Sequence, residues 1–193
     1  GPSESDRCDT DGQKMAGNLR RGFFKRLETA GMTAKQTPIS IRPAREDDCS
    51  RVAEIGARAW KAIYDGYRAQ LGPELFDTFY PEAIRHKCCS LREEMQTLPF
   101  FVAEVDGSVV AFAACRISGT EGELMDNAVD QGYTGRGIGS SLHRYVLNYL
   151  RMHGCTRAVV RTGLDAAHAP ARRAYEKNGF VRSLSSVKYF RKL

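Results

Sequence analysis

Ala128-Val129-Asp130-Gln131-Gly132-Tyr133-Thr134-Gly135-Arg136-Gly137-Ile138-Gly139-Ser140-Ser141-Leu142 is the stretch that decides how this chain is read. Leu124 to Val129 reads as a short strand, and Val129 closes it. The glycines that follow permit a tight turn and bring backbone N–H groups close to a ligand. A helix then opens on Gly139-Ser140-Ser141, and its unpaired first-turn donors, with their partial positive charge, suit a pyrophosphate. Two better-known phosphate patterns fail. A dinucleotide loop needs G-x-G-x-x-G within a parallel unit, whereas these glycines run G-x-G-x-G after strands that read antiparallel. A P-loop needs Gly-Lys-Ser/Thr, and none follows. What surrounds the loop decides between a ligand site and a plain glycine-rich turn.

Working outward, Phe100 to Val105 and Val109 to Cys115 flank Asp106-Gly107, a strong hairpin signal. Upstream, Ile39 to Arg42 alternates like a strand that Pro43 closes. Glu46, Asp47 and Asp48 supply first-turn acids for a helix with the apolar stripe Val52, Ile55, Ala59 and Ile63. Residues 64–97 read as a second helical region, broken at Gly72-Pro73 and Pro81. Downstream, Leu142 to Leu150 marks a helix, Thr156 to Thr162 a strand and Pro170 to Lys177 a helix, and from Val181 a strand is expected. This order predicts an α/β (α+β-like) fold: a central mixed, mostly antiparallel sheet with helices on both faces.

Composition bounds the rest. The 193 residues are 42% hydrophobic and 27% charged, enough for one sizeable core and a tail. Residues 38–193 read as that domain. Residues 1–37 read as a tag remnant, from their Gly-Pro start, and a flexible or helical extension in which Lys14 to Leu27 has amphipathic spacing. No run approaches the ~20 apolar residues of a membrane span, and the first residues lack the layout of a secretory signal. Six cysteines without a CxxC pair read as reduced thiols, which points to the cytoplasm. Four histidines without ligand spacing to cysteine argue against zinc, so no metal is expected. A net charge of +6 favours a small polyanion over specific nucleic acid binding.

Gly135-Arg136-Gly137-Ile138-Gly139 after Ala128-Val129, with Ala174-Tyr175-Glu176-Lys177-Asn178-Gly179-Phe180 further on, resembles the GNAT N-acetyltransferase superfamily. The likeness is specific from about Phe100 to Phe180, and Ala59-Trp60 with Tyr64 resembles bacterial members of unassigned substrate. What the resemblance implies is acetyl transfer from acetyl-CoA, as co-substrate, to a primary amine. The acetyl-CoA would lie where two neighbouring strands splay apart.

By position, Ala128 and Val129 would offer backbone to the pantetheine, and Thr134 to Ser140 would surround the pyrophosphate. Within that loop the amides of Arg136, Gly137, Ile138 and Gly139 would hold the phosphates, beside Gly135. Tyr175 would protonate the departing thiolate, as a phenol near a leaving thiolate can. Glu123 is the expected base, with Asp126 its substitute. Two positions depart from the family pattern: Thr134 stands where Arg or Gln is usual, and His168 where an Asn often touches the cofactor. Residues 56–97, rich in aromatics from Trp60 to Tyr80, would carry acceptor choice. The alternative is a non-catalytic acyl-CoA-binding sensor of the same fold; the acceptor's identity and a homodimer stay open.

Overall fold

The computed structural model describes residues 38–193; the amphipathic stretch Lys14 to Leu27 lies outside them. The chain runs β1 (Ser40–Pro43), α1 (Cys49–Leu71), α2 (Pro73–Phe79), α3 (Ala83–Thr97), β2 (Phe100–Val105), β3 (Ser108–Ser118), β4 (Glu121–Val129), α4 (Ile138–Met152), β5 (Arg157–Val160) and α5 (Ala169–Lys177). The five strands lie in sequence order. The first three pairings are antiparallel, and β4 with β5 is parallel. Asp106 and Gly107 both take positive φ, the backbone a two-residue hairpin turn requires.

The sheet carries helices on both faces, and each face has its own core. Val109, Phe112 and Ala114 of β3 pack with Val52 and Ile55 of α1 and Leu91 of α3. Val110, Ala111, Ala113 and Cys115 pack with Leu142, Val146 and Leu150 of α4. A strand covered on both sides has no polar face, which is why β3 reads as an unbroken apolar run.

Two elements differ from expectation. The first helix continues well past Ile63 to Leu71, because nothing before Gly72, at φ 77, stops it. The expected strand from Val181 is absent: residues 181–193 form none, and Leu184 and Tyr189 are 100% and 89% exposed. Arg182-Ser183 and Ser185-Ser186 give that segment little to pack on a sheet. Its end instead crosses α2, with the Phe190 ring 5.2 Å from Phe79 and Lys192 Nζ 2.9 Å from Glu74.

Candidate functional site

β4 begins paired on both sides and ends paired on one. Its parallel pairing with β5 runs from Glu121↔Arg157 to Leu124↔Val160 and stops there. On the other side β4 stays bonded to β3 as far as Val129, opposite Ala111. Register slips on the way: Leu124 faces Cys115 but Asn127 faces Ala113, so Met125 and Asp126 together oppose Ala114. This is a β-bulge, a feature that concentrates beside functional sites. Among the described strands none pairs with the outer edge of residues 125–129. Its N–H and C=O groups, those of Ala128 and Val129 included, can receive an extended ligand as a strand edge receives a strand.

The loop that follows is anchored before it turns. The buried Asp130 pairs with Arg51 of α1, and its N–H donates to Val110 O at 2.8 Å. Burial pushes the Asp130 carboxyl up, but Arg51, the Gly132 N–H and Arg58 outweigh it and hold it below its ordinary value. Thr134 Oγ1 donates to Gln131 O at 3.0 Å, so this short side chain braces the turn. Arg136 donates to Gly132 O at 2.9 Å and lies over the Tyr133 ring. Gly135 and Gly137 stand at φ 76 and 80, where a side chain would be strained.

α4 then starts without a side-chain cap and without an acid in its first turn. Ser141 N–H donates to Gly137 O, which leaves no helical partner for the N–H groups of Ile138, Gly139 and Ser140. Gly139 sits against Val129, so strand end and helix start meet closely. An acid-free helix start fed by an unpaired strand edge fits a pyrophosphate with an extended arm.

Consecutive residues of β4 serve opposite faces. On the α4 side, Asn127 Nδ2 donates to Met125 O at 2.9 Å and to the Tyr175 hydroxyl at 3.0 Å. Asn127 Oδ1 lies 3.0 Å from His143 Nε2, and the His143 ring stacks on Tyr175 at 5.1 Å. His143 and Tyr175 are only 3% and 6% exposed. Burial pulls the imidazole down to about 4, so it is neutral across the working range. Burial also raises the Tyr175 phenol, against the Asn127 hydrogen bond and with help from the Asp126 charge, so it keeps its proton.

On the other face Asp126 pairs with Lys87 of α3, whose ammonium stands 4.3 Å over the Trp60 ring. Glu94 lies beside them, its Oε1 taking a hydrogen bond from Ser90. Burial, then the charge and hydrogen bonding of Asp126, push the Glu94 carboxyl up to about 7, against Lys87 and Ser90. The rings of Tyr64, Tyr67, Phe76 and Tyr80 gather at this end of α1 and α2.

The expected residues therefore separate. Tyr175 and Asp126 meet at the bulge from opposite faces. Glu123 lies where β4 and β5 are still paired, held by Arg161 and Arg116. His168 immediately precedes α5, with Nδ1 2.7 Å from Asp165, which engages it locally. Asn127, His143, Lys87 and Glu94 were not singled out by sequence. A polar His143 inside the Leu142, Val146 and Leu150 stripe was the one signal available. Among the described residues no set of three or more His, Cys, Asp or Glu is placed to hold a metal ion, and no helix is long and apolar enough to cross a membrane.

Known proteins resemble this chain in sequence and in fold. N-acetylaspartate synthetase of Rattus norvegicus is 35% identical over 92 residues, 47% of this chain and 30% of that protein. Mycothiol acetyltransferase of Corynebacterium glutamicum (strain ATCC 13032) is 38% identical over 67 residues, 35% of this chain and 22% of its own length. The matches thus span between 22% and 40% of the curated relatives' own lengths. In structure, PaiA N-acetyltransferase from Thermoplasma acidophilum, solved with coenzyme A, superposes with a TM-score of 0.64 at 21% identity, covering 79% of this chain and 95% of that one. That likeness shows a shared fold. The acetyltransferase (GNAT) family pattern matches residues 60–180, from Trp60 beside Lys87 through the bulge and the glycine loop to Phe180, and this chain belongs to that family.

Proposed function

We propose that the chain transfers an acetyl group from acetyl-CoA to a primary amine by direct attack in a ternary complex. The observation that carries this reading is the unpaired half of β4, which leads into the acid-free start of α4 with Tyr175 on one side and Asp126 on the other. The amides of Arg136 to Ser140 hold the pyrophosphate, with Gly135 and Thr134 shaping the turn. The edge at Ala128 and Val129 binds the pantetheine arm. His168, held by Asp165, is a further cofactor contact to test.

An alkylamine acceptor, with a pKa near ~10.4, arrives protonated at neutral pH. Asp126, coupled to Glu94, takes that proton, and Glu123 is the second carboxylate to test. Nitrogen then forms a bond to the acetyl carbon as the carbon–sulfur bond breaks. Tyr175 gives its proton to the departing sulfur, and the nitrogen loses its second proton to solvent, from which the phenolate is reprotonated. The free cysteines among the described residues suit a reducing, cytoplasmic setting. The acceptor lies on the Trp60 side, and a relative named for N-acetylaspartate places amino acids among the amines to try.

Release of CoA should be followed with acetyl-CoA and a panel of aspartate and other amino acids, alkylamines, aminoglycosides and peptides with free N-termini. Amine-dependent release, with mass spectrometry finding one added acetyl group on the amine, is expected. Tight acetyl-CoA binding with no amine-dependent release across the panel would favour the sensor reading.

A further inference from the structure

We infer that Asn127 and His143 are positioning residues that set the direction of the Tyr175 hydroxyl hydrogen. The inference rests on the reading of Tyr175 as the proton donor and adds how that donor is aimed. The chain of contacts starts at the bulge. Met125 O can only accept a hydrogen bond, so Asn127 must present Nδ2 to it, at 2.9 Å. That fixes the amide: Oδ1 then faces His143 Nε2 at 3.0 Å.

The imidazole is neutral and carries one hydrogen. Placed on Nδ1, which is buried without a partner, that hydrogen would be stranded, and two acceptors would face each other across Nε2 and Oδ1. The hydrogen therefore sits on Nε2 and is donated to Asn127 Oδ1. The second hydrogen of Asn127 Nδ2 goes to the Tyr175 oxygen at 3.0 Å, whereas the reverse arrangement, Tyr175 donating to Oδ1, is longer at 3.4 Å and competes with His143. Tyr175 thus accepts from Asn127, and its own hydrogen is left for the unpaired edge of β4. An asparagine that only donates to the phenol keeps the phenol a donor.

Asn127→Asp tests the direction with almost no change of shape. A carboxylate cannot donate; it accepts strongly and draws the Tyr175 hydrogen onto itself. We expect kcat to fall about 10²-fold, as in Tyr175→Phe, with KM for acetyl-CoA within about twofold of the parent. The double variant should be no worse than either single one, because one interaction has been removed twice. His143→Leu frees Oδ1 to compete for the hydrogen and should cost about tenfold in kcat. His143→Gln, whose side-chain N–H can still reach Asn127, should recover most of that loss. This pair keeps the test decisive should Asn127→Asp fail to fold. Equal losses in His143→Leu and His143→Gln, or full turnover in Asn127→Asp beside a crippled Tyr175→Phe, would overturn the inference and leave the donor reading standing. Full turnover in Tyr175→Phe would overturn both.

Discussion

Asp126 and Asn127 are neighbours in sequence and opposites in setting. Asn127 lies against α4 and α5 in a neutral nest, where an uncharged imidazole and a raised phenol share hydrogen bonds. Asp126 faces α1 and α3 among charges, with Lys87 on it and the raised Glu94 carboxyl beside it. One face keeps a proton in place; the other is built around carboxylates that can take one. The proposed acetyl transfer from a thioester to an ammonium would use both, on two sides of one reacting carbon. The difference teaches that a single strand can separate acid from base by the thickness of its own backbone.

The sharpest break in this contrast is Tyr175→Phe, which keeps the ring and removes the donor. Steady-state turnover with a good acceptor should fall roughly 10²-fold or more. Next comes the charged face. Asp126→Asn should lower turnover about tenfold to 10²-fold across the whole pH range, whereas Glu123→Gln, which only releases Arg161 and Arg116, should track the parent. The reverse ranking in paired pH–rate profiles would move the base to Glu123.

Gly137→Val asks whether both faces depend on the loop between them. A β-branched side chain at φ 80 is strained, so calorimetry should show acetyl-CoA affinity about tenfold weaker and a loss of roughly 1–3 kcal/mol in stability. The smallest effect belongs to Glu94→Gln. In the parent, turnover should climb as pH passes about 7 and Glu94 ionises; the glutamine variant should lack that step. The sign for stability is opposite. A carboxyl raised in the fold stabilises below its unfolded pKa and loses that contribution as pH rises through about 7. Melting curves should therefore show the variant gaining a few degrees near pH 9 and nothing near pH 3.

Much of the fold was legible because its signals are local. Asp106-Gly107 announced a hairpin, Gly72-Pro73 and Pro81 broke the helices, and Gly135 to Gly139 marked the junction of strand and helix. What could not be read is what depends on distant segments meeting. Lys87 and Asp126 are 39 residues apart, and nothing in either neighbourhood points to the other. The bulge that brings Asp126 to that face leaves no mark in the alternation, since Met125 already reads as an inward residue. The tail from Val181 failed for a related reason: strand formation needs a partner, and a few valines and leucines among serines do not supply one.

The bulge has a consequence for how such a chain can change over time. Because Met125 and Asp126 share one partner, one of them is surplus to the two-residue rhythm of the strand. Replacing Asp126 would leave Leu124 and Asn127 on their own faces and Met125 packed against the core. Asp126 therefore occupies a position released from the duty of holding the sheet together. A fold with one such spare beat can exchange the side chain at that position while the scaffold keeps time.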